Sequence, residues 1–169
     1  MHYFLLLLVL LFPAHPVSAE ADMAYAAGDH IDPITLKDQH DVTVSVNEDT
    51  RVVLFTTDMP GGKVVSRAIG EEKADFLPDN RTVFLSNISG MPGMVTKMIA
   101  LPRMRKHPYS IALDRDGETT KRIPTREGNT TILIMDRLEI KSIVFTKEPA
   151  DVRKAINTGE QSFPVLKTE

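Results

Sequence analysis

The stretch Arg51–Lys63, Arg-Val-Val-Leu-Phe-Thr-Thr-Asp-Met-Pro-Gly-Gly-Lys, constrains this chain more than any other. Val52–Phe55 is a continuous apolar run, too short for a helix and rich in β-branched residues, so it predicts a strand buried on both faces. Polarity rises at Thr56–Asp58 and the run breaks at Met59-Pro60-Gly61-Gly62. Val64, Val65, Ala68 and Ile69 then recur on one side of a predicted helix from about Gly62 to Phe76. Strand, tight turn and helix make an edge at which unpaired helix N–H groups face outward.

The flanking segments extend this unit into an α/β domain. Ile34 and Leu36, then Val42, Val44 and Val46, alternate with polar residues on either side of Lys37–Asp41, which predicts a hairpin. Leu77-Pro78 is expected to end the first helix, because proline disfavours helix at the residue before it. Thr82–Leu85 reads as a second buried strand, joined to the first by a crossover that implies parallel pairing. A second helix is expected from Pro92 to the break at Pro102, and Tyr109–Leu113 as a third strand. Thr130–Met135 and Glu139–Phe145 form a predicted antiparallel pair, and Pro149 opens a last helix.

The termini read differently. Tyr3–Phe12 is almost wholly apolar, and Val17-Ser18-Ala19 offers a signal-peptidase site before Glu20, so residues 1–19 are expected to be a cleaved export signal. Residues 20–30 read as a flexible lead-in, 31–158 as one domain and 159–169 as a tail. No other apolar run approaches spanning length, so no transmembrane segment is expected once the signal is removed. The protein is expected to be periplasmic or otherwise exported. It contains no cysteine. That excludes a disulfide framework, a thiol nucleophile and a thiolate metal site.

Several motifs carry a resemblance. Ile34–Asp41 is similar to the opening strand and turn of peroxiredoxin-type proteins, Phe55–Lys63 to the strand, redox loop and first helix of the thioredoxin-like superfamily, and Gly128–Asp136 to its penultimate strand. Pro108-Tyr109-Ser110, Asp114 with Gly117, Glu127-Gly128 and Asp136 resemble, in order and spacing, the small exported proteins called YtfJ-like. The resemblance implies a thioredoxin-like three-layer sandwich, a mixed central sheet flanked by helices, with an extra N-terminal β-hairpin. It also implies a redox loop within Asp58–Gly62, yet no cysteine stands there. Thr130 falls where thioredoxins place a cis-proline. Without a thiolate, neither thiol–disulfide exchange nor thiol peroxidase chemistry is open to the chain.

Three features invite a functional reading. At Asp58, Met59, Gly61, Gly62 and Lys63, beside Asn129 and Thr130, two glycines and a helix N-terminus could cradle an anion; the plainer expectation is that Asp58 caps the helix. Residues 97–126 hold eight Lys or Arg against three acids in a chain of net charge −3. Arg103, Arg105, Lys106, Arg122 and Arg126 would form a basic face for an anionic ligand, an acidic partner or lipid headgroups, or simply a solvated surface. Tyr109 alone interleaves with these cations, which gives no platform for nucleic acid. Met94, Met98 and Leu101 fall at i, i+4 and i+7, and are expected to fill the core rather than to bind copper.

No constellation reads as catalytic, no histidine spacing suits a metal, and no cofactor is expected. The expected function is a redox-inactive binding module that holds an envelope protein's segment or a small anion at the former active-site edge. The alternative is a non-thiol enzyme using Asp58, Lys63 and Thr130.

Overall fold

The structure is a computed structural model that describes residues 23–159. The expected export signal, its cut after Ala19 and the tail beyond Gly159 lie outside the described residues. Strands β1 (Ile34–Lys37) and β2 (Thr43–Val46) form the expected hairpin, and β3 (Val52–Thr56) is buried along its whole length. With β4 (Thr82–Asn87), β5 (Ala112–Asp114), β6 (Thr130–Asp136) and β7 (Glu139–Thr146) they build a seven-stranded sheet in the order β2-β1-β5-β4-β3-β6-β7. β4 pairs in parallel with β3 and β5, and the other pairings are antiparallel.

Because strand side chains alternate, β3 feeds two cores. Val52 and Leu54 join Val64, Val65 and Ile69 of helix α1 (Met59–Ile69), with Val152 and Ile156 of the closing helix Pro149–Thr158. Val53 and Phe55 join the other core, which Ile31, Ile123 and Leu138 cover with extended chain and turns. This is the α/β sandwich of the thioredoxin-like fold, with a mixed sheet, flanking helices and the extra hairpin at one edge. Burying Val64, Val65 and Ile69 contributes roughly 1.5–3 kcal/mol apiece. That offsets the poor helix propensity of a segment holding two glycines and two valines.

The helices differ from expectation at their ends. α1 begins at Met59 rather than Gly62, because Asp58 is its N-cap, and it stops at Ile69 rather than Phe76. Gly70, at φ 66° and ψ −132°, takes a positive-φ conformation that glycine adopts without steric cost, and ends it. Phe76–Asp79 is a separate short helix, α2, with Pro78 inside it. Pro102 does not end the next helix, which runs from Gly93 to Met104 through a five-residue π turn, Thr96–Ala100. An α-helix here would drive the Pro102 ring into the Met98 carbonyl and leave that carbonyl without a donor. The π turn shifts the ladder by one residue, so the Leu101 amide reaches Thr96 O instead.

The lead-in is tied to the domain from its first described residues. Tyr25 N donates to Arg122 O at 2.8 Å, Gly28 N to Ile140 O at 2.7 Å and Ile31 N to Leu138 O at 2.9 Å. β5 is shorter than the predicted third strand, because Tyr109–Ile111 is drawn away to the β1–β2 turn.

Candidate functional site

The parallel strands β3, β4 and β5 end on one edge of the sheet, followed by Thr57-Asp58, Ile88–Pro92 and Arg115–Gly117. β6, antiparallel to β3, starts at the same edge. The topology therefore brings Asp58 and Thr130 together across 72 positions of sequence. Asp58 Oδ1 accepts from Gly61 N at 2.7 Å, which is the helix cap, and Oδ2 accepts from Gly128 N at 2.6 Å. Gly62 N donates to Asp58 O at 3.1 Å, and the buried Thr130 hydroxyl donates to Gly61 O at 3.0 Å. A Cβ on Gly61 would lie 2.4 Å from Asn129 O. The two segments are in direct backbone contact, with no space between them for a ligand.

This geometry limits the chemistry. Pro60 has no N–H, and the amides of Gly61 and Gly62 are already taken by Asp58, so the first turn has little left with which to cradle an anion. Both Asp58 oxygens hold main-chain amides, and the Thr130 proton is donated to a carbonyl. Neither group is placed to act as the base that a non-thiol enzyme would need. Around this closed contact the surface is accessible: Met59 is 51% exposed, and Pro60, Lys63, Arg126 and Glu127 are exposed. Asn129 N donates to Arg126 O at 3.0 Å, and its side chain to Glu127 O at 2.9 Å.

The basic stretch does not form one face. Arg105 Nε donates to Gln39 O at 2.8 Å, beside the β1–β2 turn. Arg122 lies over the Tyr25 ring and donates to Met23 O, and Arg126 lies over the Phe145 ring on β7. β1 and β7 are five strand spacings apart, about 24 Å. Arg103 and Lys106 stay with Arg105 at the end of the π-bulged helix, exposed to solvent.

The short motifs that carried the family resemblance have structural roles. Gln39 is wholly buried and behaves as a strand residue in side-chain form: its Nε2 donates to Tyr109 O and its Oε1 accepts from Ile111 N, both at 2.8 Å. Asp38 accepts from His40 N, Val42 N and the Ser110 hydroxyl. Burial works to raise its pKa, but the amides of Val42 and His40 and the Ser110 hydroxyl outweigh it, leaving the carboxyl below its ordinary value. Tyr109 is raised by burial, although its hydroxyl donates to Ser66 Oγ, and burial lowers His107, whose ring stacks on it at 5.0 Å. Asp114 accepts from Gly117 N, Thr120 N and the Thr120 hydroxyl. The hydrogen bond from Arg51, more than the charge of that guanidinium, holds Asp136 below the usual carboxylate range. Residue-type patterns flagged Asp114 and Asp136 but missed Gln39, whose partners lie some 70 residues away.

The methionine expectation fails. Met94 is 75% exposed and Met98 72%, with Val95 and Ile99 also exposed; of the predicted core trio only Leu101 is buried. The π turn between Met94 and Leu101 breaks the i, i+4, i+7 register, so Leu101 is buried while the preceding turn faces out. Met91 and Met104 pack partly against the helical core. A groove of about 350 Å³ lies elsewhere, lined by Val42, Val44, Leu77, Pro78, Val83 and Phe84 at the amino end of β4, opposite the Asp58 edge. Among the described residues no group of three or more His, Asp or Glu is placed to hold a metal ion, and no helix is long and apolar enough to cross a membrane.

No family model matches the sequence, and no curated protein matches it. Solved structures do. A peroxidoxin, BcpB, from Mycobacterium tuberculosis is 16% identical with a TM-score of 0.50, and the alignment covers 83% of this chain and 99% of that one. The thioredoxin domain of a thiol-disulfide oxidoreductase from Bacteroides vulgatus is 14% identical with a TM-score of 0.50, over 79% of this chain and all of that one. A protein described as a candidate thiol:disulfide interchange protein DsbE from Chlorobium tepidum is 14% identical with a TM-score of 0.53, over 80% and 96%. At such identities the likeness establishes the thioredoxin-like fold.

Proposed function

We propose that this chain is an exported, redox-inactive thioredoxin-like binding module of the YtfJ-like kind, holding a segment of an envelope protein at the former active-site edge. The carrying observation is Asp58. The loop Asp58–Gly62, where the resemblance places the redox cysteines, holds no thiol, and the two oxygens of its Asp58 carboxylate accept from the Gly61 and Gly128 amides. The helix N-terminus is thereby filled by the protein's own anion, which favours a protein segment over a small anionic ligand. Met59 and Pro60 supply exposed apolar surface for such a segment, and Lys63 a charge at its border.

Introducing a photo-crosslinking residue at position 59, in cells that make the protein, tests this reading. A discrete adduct from position 59, absent when the same residue replaces Glu48 on the hairpin side, and weakened by Lys63→Glu, is the expected result. No adduct, or equal adducts from both positions, refutes the site. Export is tested by intact mass: the isolated protein should begin at Glu20, and a cytosolic product retaining Met1–Ala19 overturns it.

A further inference from the structure

We propose that the exposed face of the helix Gly93–Met104 docks this protein on an anionic lipid surface. Met94, Val95, Met98 and Ile99 form two adjoining i, i+4 pairs, and all four are exposed. Long apolar side chains projecting into solvent from one side of a helix have no role in the fold already described. Cations accompany them. Lys97 lies between Met94 and Met98, and Arg103 and Lys106 follow; none has a side-chain partner among the described residues. No acidic residue occurs between Asp79 and Asp114. In a chain of net charge −3, a surface element bordered by 34 consecutive residues without a carboxylate selects an anionic partner.

Two features favour lipid over a protein partner. The apolar residues stand on a convex helix, and a headgroup layer accepts a convex amphipathic helix without a matching groove. A second copy of the chain is disfavoured because a two-fold contact through this face would set Lys97, Arg103 and Lys106 against their own copies. The patch also holds only four exposed apolar residues, far short of the roughly 800 Å² per partner of a stable interface. The π turn is what makes the face: it lets the helix pass Pro102, buries Leu101 and leaves Met98 and Ile99 outward.

The absence of cysteine from the chain makes the test site-specific. Met98→Cys in the full chain, labelled with an environment-sensitive fluorophore, should brighten and shift to the blue with vesicles of phosphatidylcholine and phosphatidylglycerol. It should respond weakly to phosphatidylcholine alone. The same label at Val42→Cys, exposed on the hairpin, should not respond to either, even if residues 1–19 are retained and reach the bilayer themselves. Adding Lys97→Glu and Arg103→Glu should weaken the vesicle response at position 98 about tenfold or more at low salt. Equal responses at positions 98 and 42, or none at 98, overturn the proposal. So does a response at 98 without vesicles that grows with protein concentration, which would make the face a self-association surface. A vesicle response at 98 that survives both charge reversals refutes the charge argument and with it the anionic-lipid assignment.

Discussion

Gly61→Ala should destabilise the protein while Gly62→Ala, one residue on, should stabilise it. Both glycines lie in the first turns of α1, where alanine is intrinsically favoured by roughly 0.5–1 kcal/mol. At Gly62 nothing lies within 4 Å of the added methyl, so that gain should appear almost undiminished. At Gly61 the methyl would sit 2.4 Å from the Asn129 carbonyl oxygen and 3.1 Å from Asp58 Oδ1. Backbone, not a flexible side-chain tip, must yield. Forcing the 127–129 loop away costs about 1–3 kcal/mol in overpacking, and stretching the Asp58–Gly128 bond removes part of a charge-assisted hydrogen bond of about 1.5–3 kcal/mol. Against the small helical gain, the net loss is about 2 kcal/mol, and the two variants should differ by about 3 kcal/mol. For a domain of this size that separates their melting temperatures by about 10 °C. Urea unfolding with unchanged slope is the assay. Gly61→Ala melting at or above the wild type would refute the packed contact, and with it the argument that this edge is closed.

Asp58→Asn keeps one acceptor for the cap but turns an amide NH₂ toward a backbone donor, so unfolding should become easier by about 1–3 kcal/mol, read by chemical denaturation. Gln39→Leu leaves the Tyr109 carbonyl and the Ile111 amide unpaired in the interior and should cost about 2–5 kcal/mol, with hydrogen exchange at Ile111 accelerating first. Asp38 has its pKa depressed in the fold, so its contribution is present above the unfolded value of about 3.9 and is lost as pH falls through the lower folded value. Asp38→Asn should therefore flatten the loss of urea midpoint as pH falls below about 4, and an unchanged acid limb refutes this. With no thiol in the chain, the purified protein should neither reduce a disulfide nor consume peroxide above a buffer blank.

Much of the architecture was legible because it is local. A period of two marks β1 and β2, an unbroken apolar run marks β3, and Asp58 reads as a helix cap, although the helix was expected to begin near Gly62 rather than at Met59. Parallel pairing of β3 with β4 followed from the length of chain between them. The approach of Asp58 to Thr130 was anticipated only through the family resemblance, and its tightness was not: whether a groove or a contact separates them depends on how closely the Asn129 carbonyl approaches Gly61, a distance set by tertiary packing. The basic stretch was legible as composition but not as a surface, because its residues are shared among the β1–β2 turn, the lead-in and β7.

The helix Gly93–Met104 marks the boundary between the two kinds of knowledge. Its sequence determined that a helix would form, since the spacing of Met94, Met98 and Leu101 depends only on side chains a few positions apart. Which side of that helix meets the core was decided by the tertiary structure. Pro102 denies a hydrogen bond to the Met98 carbonyl, the π turn absorbs the defect, and Leu101 joins the helical core while Met94 and Met98 face outward. Likewise the absence of cysteine by itself excluded thiol chemistry, because a missing atom needs no fold to be missing. That Asp58 closes the vacated helix N-terminus required a partner 70 residues away, Gly128, and only the antiparallel return of β6 beside β3 brings that amide within reach.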